Sequence, residues 1–468
     1  MFVGMIAGSE GVGGIHFENY ELTHSLSLIA LCLIIFSGGV ETNLSDIKGN
    51  LWRGVFLSTF GVLITTALVG IFVNRLTGLP FVECLLLGAI LSATDAAAVF
   101  SSFKGKDSQI VSPVKNLLKF ESGNNDPMAY LLVALLLGFL DGQTQISGLE
   151  MSFKFLINPV VGFIVGWGLS RAFISLNNII NLNHIGLYPT LTLSFLFLSY
   201  SISSHLNGNG FLAVYIFGLV ISSKKILHKS LLYSFYDGIS WLSQIGLFVM
   251  LGLLVFPSRL IKVVPSGLLI AIFLILIARP LTIFLCLSFS RFSFKDKIFI
   301  SWAGLKGASP IVFASLAAVK LGDRAHPIFD ITFFTVLLSA LLQGATLRFF
   351  ARKLGLTIES IKDPSFPIDV EFLEKTRNGI KEFQIESKDY CVEKRVVDLF
   401  LPSGCLVLFI KRSGVFIIPD GATTFESRDS VLIATKSKED IAVAFECFKN
   451  GISGKGLIYG NENSNQTH

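Results

Sequence analysis

Residues 111–140 read VSPVKNLLKFESGNNDPMAYLLVALLLGFL. The second half is apolar and long enough to help cross a bilayer, whose ~30 Å hydrocarbon core takes about 20 helical residues. The first half places two carboxylates, Glu121 and Asp126, five residues apart, and Pro127 follows at a point where a helix can break. Ionisable side chains at membrane depth are costly; they face the bundle interior, where they pair or handle ions. Burial disfavours a bare carboxylate charge, so a proton and a cation compete for Asp126. Ser122, Asn125 and Asp126 together offer several oxygen ligands. The competing reading is a loop end at the interface with solvated acids.

The rest of the chain supports the membrane reading. Of 468 residues, 52% are hydrophobic and only 15% charged, against about 25% charged in soluble domains. The 43 Phe residues suit lipid-facing surfaces. Eleven apolar runs follow the first few residues, near 22–40, 53–74, 81–103, 111–140, 155–170, 186–204, 211–222, 239–256, 264–290, 298–320 and 328–347. The short 211–222 run reads as a tilted or discontinuous helix. If the last run ends inside, the inner loops hold 16 Lys and Arg and the outer loops 6, a clear positive-inside bias. The first residues carry no basic segment or cleavage-type site of a signal peptide. Met1–Ala7 is an apolar stump too short to span, and it reads as the end of a helix whose beginning is absent.

Two further features interrupt apolar runs. Thr94 and Asp95 lie inside 81–103 and suggest an unwound helix with free carbonyls and side-chain oxygens, tolerated only where protein or a polar cavity covers it. The alternative, which can hold as well, is Thr94 capping a helix there with Asp95 in its first turn. Arg279 and Lys306 are cations within spans. Arg279 requires a carboxylate partner, and Glu121 is the natural one, leaving Asp126 for ions. Lys306 stands among Gly and Pro, which suggests an interrupted helix, and either compensates the partial charges of that break or snorkels to the inner interface.

Other chemistry finds no machinery. Gly8 to Gly14 has neither the preceding strand nor the Lys of a phosphate loop. The seven His form no HExxH, no CxxC pair exists, and no nucleophile elbow is visible. This pattern points to no enzyme, no cofactor, no metal beyond a transported monovalent cation, and no nucleic acid. A K⁺ channel would need a selectivity loop that is missing. A truncated membrane sensor that does not transport is the remaining alternative.

After Lys353 the composition changes. Residues 354–389 read as a linker with at most a short preliminary strand. Residues 390–450 read as a small α+β module, with strands at Arg395 to Leu401, Cys405 to Ile410, Val415 to Ile418 and Val431 to Thr435 and a helix from Lys438 to Lys449. Residues 451–468 read as a disordered tail.

The segments Ser92 to Val99, Glu121 to Pro127 and Gly304 to Pro310 together resemble the monovalent cation/proton antiporter family, in particular its bacterial potassium/proton antiporters with a regulatory tail. That resemblance implies an all-α polytopic membrane bundle over 1–353, with inverted repeats and two crossing interrupted helices. One absent helix, one stump and eleven spans would make the family's thirteen. It implies that Asp126 is the essential ion- and proton-carrying acid and Asn125 its partner. Thr94, Asp95 and Ser122 are implied to be nearby ligands, and Glu121 with Arg279 a buried ion pair. The Asn-Asp form of the site implies electroneutral exchange of K⁺ or Na⁺ for H⁺, with K⁺ preferred. Ser37 stands where the family commonly has an acid. Residues 390–450 resemble the TrkA-C (RCK-C) regulatory domain through Val396 to Gly404, Ile410 to Gly414 and Ile418 to Thr423. The resemblance implies a homodimer in a bacterial inner membrane, a cytoplasmic tail, and an unidentified small ligand for that tail.

Overall fold

In the computed structural model the described residues are 1–451, except 18, 43, 45–48, 104–107, 142–147, 181, 183, 225, 360–378, 400, 403, 413–414 and 436–438. They form two compact units, Met1–Glu359 and Ser360–His468.

The first unit is helical. In chain order it contains α1 (Phe2–Ala7), α2 (Tyr20–Val40), α3 (Leu51–Thr77), α4 (Phe81–Ile90), α5 (Ala96–Ser101), α6 (Ser112–Leu140), α7 (Gly148–Ile179) and α8 (Leu187–His205). It continues with α9 (Gly210–Ser222), α10 (Lys229–Leu253), α11 (Pro257–Phe273), α12 (Arg279–Cys286), α13 (Phe294–Trp302), α14 (Ser309–Leu321), α15 (His326–Ser339) and α16 (Ala345–Lys353). Among the described residues, five helical stretches are long and apolar enough to cross a membrane. The chain is a multi-pass membrane protein. Local signals start several helices: Asn19 and Asn209 accept from the backbone N–H of Leu22 and Leu212, and Ser293 forms a capping box with Asp296.

Where the sequence suggests a break at Pro127, α6 runs on as one helix. Proline removes one backbone donor, and side chains bond carbonyls on either side of it. Asn209 Nδ2 donates to the Pro127 carbonyl at 2.7 Å, and Asn124 Nδ2 donates to the Phe120 carbonyl at 2.9 Å. The 81–103 and 298–320 runs are interrupted instead, between α4 and α5 and between α13 and α14.

The helices pack in two groups. In one, α3 lies against α4, α6 and α12, and α15 lies against α11 and α14. In the other, α9 lies against α2, α7 and α8, while α10 lies against α1 and α2. The groups meet where α2 touches α14 and α6 touches α9. Helices α2 and α9 approach backbone to backbone: a Cβ on Gly39 would lie 2.7 Å from the Tyr215 carbonyl, and one on Gly218 2.8 Å from that of Phe36. Gly218→Val is therefore expected to destabilise the bundle by about 1–3 kcal/mol. Thermal unfolding in detergent checks this; an unchanged midpoint would mean that the two helices can separate freely. A short antiparallel pair, β1 (Ser108–Ile110) with β2 (Thr357–Glu359), completes this unit.

The second unit has a four-stranded antiparallel sheet made of β3 (Gly379–Gln384), β4 (Leu406–Arg412), β5 (Val415–Ile417) and β6 (Ser430–Thr435), in the order β3-β6-β4-β5. Helix α17 (Glu439–Asn450) places Phe448 in a core with Phe383, Ile410, Val431 and Ile433. Strand β3 lies within the stretch read as linker, so the sheet starts before residue 390. The strand expected from Arg395 to Leu401 is replaced by a single 3₁₀ turn, Val396–Leu399. Its backbone N–H groups reach a turn rather than a strand: Val396 donates to Thr423 and Val397 to Gly421. An exposed Arg395–Asp398 ion pair at 2.9 Å spans the turn. The expected tail, 451–468, lies outside the described residues after Gly451.

Candidate functional site

The site is built where the two interrupted helices cross. Helix α4 stops at Ile90, and the chain runs unwound to Asp95, which caps α5 by accepting from Ala98 N at 3.0 Å. Asp95, not Thr94, is the cap residue. Helix α13 stops at Trp302 and α14 starts at Ser309, with Pro310 in its first turn. The two breaks are tied by a backbone bond from Asp95 N to Leu305 O at 2.8 Å. Gly307 permits this closeness, since a Cβ there would lie 2.1 Å from Asp95 Oδ2.

Every helix end buried in a membrane protein needs partners for its free backbone groups. Lys306 supplies them for the opposite chain segment. Its Nζ donates to the Ala93 carbonyl at 3.0 Å and to the Ser92 carbonyl at 3.4 Å, at the C-terminal end of α4. At 2% exposure it does not snorkel. It compensates the break in α4, rather than the break in which it sits. The carbonyl ending α13 is met by Gln343, whose Nε2 donates to Trp302 O at 2.8 Å. Ser339 donates to Gln343 Oε1 and accepts from Lys306 N.

Helix α6 lines the other side. Glu121 and Asp126 project about 140° apart on a helix of 3.6 residues per turn, so they serve different neighbours. Glu121 meets Arg279 at the start of α12, with Nη1 to Oε1 at 2.6 Å and Nη2 to Oε2 at 2.9 Å. Both are buried, and the two-pronged contact is the strong form of an ion pair. Ser122 Oγ donates to the Thr94 carbonyl at 2.8 Å and accepts from Ala96 N at 3.0 Å, bracing the unwound segment. Asn125 Nδ2 donates to Thr94 Oγ1 at 2.5 Å.

Asp126 accepts from Ser309 Oγ at 2.6 Å through Oδ2. Its Oδ1 and the Oδ1 of Asn125 are buried and have no hydrogen-bond partner among the described residues. Asp95 Oδ2 accepts from Gln244 Nε2 of α10 at 2.8 Å. A cavity of about 280 Å³ is lined by Ser37, Asp95, Ser122, Asp126, Gln244 and Ser309. It also reaches Lys119 and Glu41, which pair at 3.3 Å. Those residues lie on the side rich in Lys and Arg, so the cavity links the buried carboxylate with that side. Ser309 and Gln244 were not among the residues singled out by sequence. Ser309 was legible only as part of the Gly304–Pro310 break, and nothing in the spacing tied either residue to a carboxylate.

Crossed broken helices, buried compensating charges and a buried carboxylate lining a cavity define a membrane transporter of small ions. The chain belongs to the sodium/hydrogen exchanger family of transmembrane proteins, whose model matches residues 1–353, and residues 380–444 match the TrkA-C domain. It is 35% identical over 444 residues to the K(+)/H(+) antiporter NhaP2 of Shewanella sp. (strain ANA-3), covering 93% of this chain and 76% of that protein. It is likewise 35% identical over 442 residues to the K(+)/H(+) antiporter NhaP of Alkalimonas amylolytica, with the same coverage. The sodium proton antiporter MjNhaP1 of Methanocaldococcus jannaschii, solved at pH 8, superposes with a TM-score of 0.67 at 27% identity, covering 75% of this chain and 91% of that one.

Proposed function

We propose that this chain exchanges K⁺ for H⁺, one for one, at Asp126. It is a monovalent cation/proton antiporter and belongs to a family of transporters rather than of enzymes. The observation that carries the site is Asp126 itself: a buried carboxylate with one oxygen unpartnered, lining a cavity. Such a group takes a proton or a cation, and the two compete. Asn125 adds a second unpartnered oxygen and is held by Thr94, while Asp95 and Ser122 line the cavity. The Glu121–Arg279 pair leaves no net charge of its own to compete for the ion. Similarity to two K(+)/H(+) antiporters supports K⁺ over Na⁺.

The same reading makes 1–353 the transporting domain and 390–450 a regulatory one that responds to a small ligand. It places the protein as a homodimer in a bacterial inner membrane with the tail in the cytoplasm, on the side given by the Lys and Arg bias.

Proteoliposomes loaded with a pH dye test this. Added K⁺ should make the lumen more alkaline, with Na⁺ weaker. A potential of about 100 mV, worth ~2.3 kcal/mol per unbalanced charge, should leave the extent of the pH change unaltered. An extent that follows the potential would overturn one-for-one exchange. No pH change with either cation would overturn antiport.

A further inference from the structure

We propose that Ser309 is a direct ligand of the transported cation and one of the groups that decides which cation is taken. The inference rests on Asp126 being the ion site and names a specificity-determining residue within it.

The hydroxyls around the site are not equivalent. Ser122 Oγ both donates to the Thr94 carbonyl and accepts from Ala96 N, so its proton and one of its two lone pairs are taken in bracing the unwound segment. Thr94 Oγ1 accepts from Asn125. Ser309 differs: among the described residues its side chain makes one hydrogen bond, donated to Asp126 Oδ2 at 2.6 Å. A hydroxyl has one proton and two lone pairs, so the oxygen of Ser309 keeps both lone pairs while Ser122 keeps one. It is buried and lines the same cavity as Asp126. The Oδ1 atoms of Asp126 and Asn125 are also buried and without a partner among the described residues. Asp126 on α6 and Ser309 on α14 thus bring oxygens with free lone pairs to one cavity, and Asn125, next to Asp126 in the chain, has an unpartnered oxygen of its own.

Such a set suits a large, weakly hydrated cation. A cation resting on Asp126 takes over the electrostatic role of the hydroxyl proton. Rotation about the Ser309 side-chain bond then turns a lone pair toward the ion. Because Ser309 is the first residue of α14 and Asp126 lies on α6, the distance between the helices sets the size of the ligand cage. The hydroxyl is also neutral, so it contributes a ligand without adding a charge to a site that already holds Asp95, Asp126 and Lys306.

The test compares Ser309→Ala, Ser309→Thr and Ser309→Cys in proteoliposomes, with K⁺ and Tl⁺ as the driving cations and Asp126→Asn as the reference. Losing one charge-assisted contact should raise the half-saturating K⁺ of Ser309→Ala about tenfold. Ser309→Thr, which keeps the hydroxyl, should stay near the parent. Thiol sulfur is a softer ligand than oxygen, so Ser309→Cys should weaken K⁺ while moving Tl⁺ much less. If the alanine variant does not insert, the cysteine comparison alone carries the test.

A half-saturating K⁺ within about twofold of the parent for both Ala and Cys would overturn the proposal. Equal shifts for K⁺ and Tl⁺ in the Cys variant would also overturn it, because Ser309 would then act only by orienting Asp126. Continued exchange in Asp126→Asn would instead remove the site reading on which the proposal stands.

Discussion

Asp126→Asn is expected to lower cation-driven proton movement at least about 100-fold, the equivalent of losing a charged partner worth about 3 kcal/mol. The amide has nearly the same shape, and its oxygen still accepts from Ser309, which donates to Oδ2 at 2.6 Å in the parent. Insertion and folding should therefore survive. What the amide lacks is a proton that it can release and a charge that draws a cation into the buried site. The dye assay reads the first loss, and a thermal-stability scan in detergent reads the preserved fold. Exchange near the parent rate would move the site away from Asp126, with Asp95 the next carboxylate to examine, since it lines the same cavity.

Arg279→Ala is expected to cost the fold about 3–5 kcal/mol, because it leaves the Glu121 carboxylate buried without its partner. Both residues are at most 4% exposed, and the pair joins α6 to α12 through two short contacts. The loss should be largely repaired by Glu121→Gln on the Arg279→Ala background, since a neutral amide removes the stranded charge. Replacing a buried pair together is far cheaper than breaking it. The measurement is a double-mutant cycle on unfolding midpoints. A double variant no more stable than Arg279→Ala would refute the coupling. A fully stable single variant would mean that water reaches Glu121.

These two predictions differ in how much the sequence alone could support them. A lone Arg inside an apolar run demands an acid, and few acids lie at membrane depth, so Glu121 could be named from energetic cost. For Asp126, the sequence supplied the residue and its neighbours but not the partner. Ser309 is 183 residues away, and Gln244 meets Asp95 across 149. No spacing rule connects residues so distant along the chain.

The role of Lys306 shows the same limit. Its neighbours Gly304, Gly307 and Pro310 announced a broken helix, and the helix is indeed interrupted there. Which carbonyls the ammonium reaches depends on how two breaks cross, and they belong to Ser92 and Ala93. Pro127 misled in the opposite sense. Proline predicts a break from local sterics, yet α6 continues, with the Asn209 side chain from α9 bonded to the Pro127 carbonyl.

The sequence by itself determined the features that depend on local chemistry. Apolar run length made this a multi-pass membrane protein, because water cannot serve buried backbone groups in lipid. The excess of Lys and Arg in alternate loops set the orientation reading, and motif resemblance named the family. Only the tertiary structure decided which oxygen faces which: Thr94 is held by Asn125, Asp95 caps a helix, and Ser309 meets Asp126. The reason is geometric. Hydrophobicity and charge are carried by each residue alone, whereas a ligand cage exists only after distant helices have crossed.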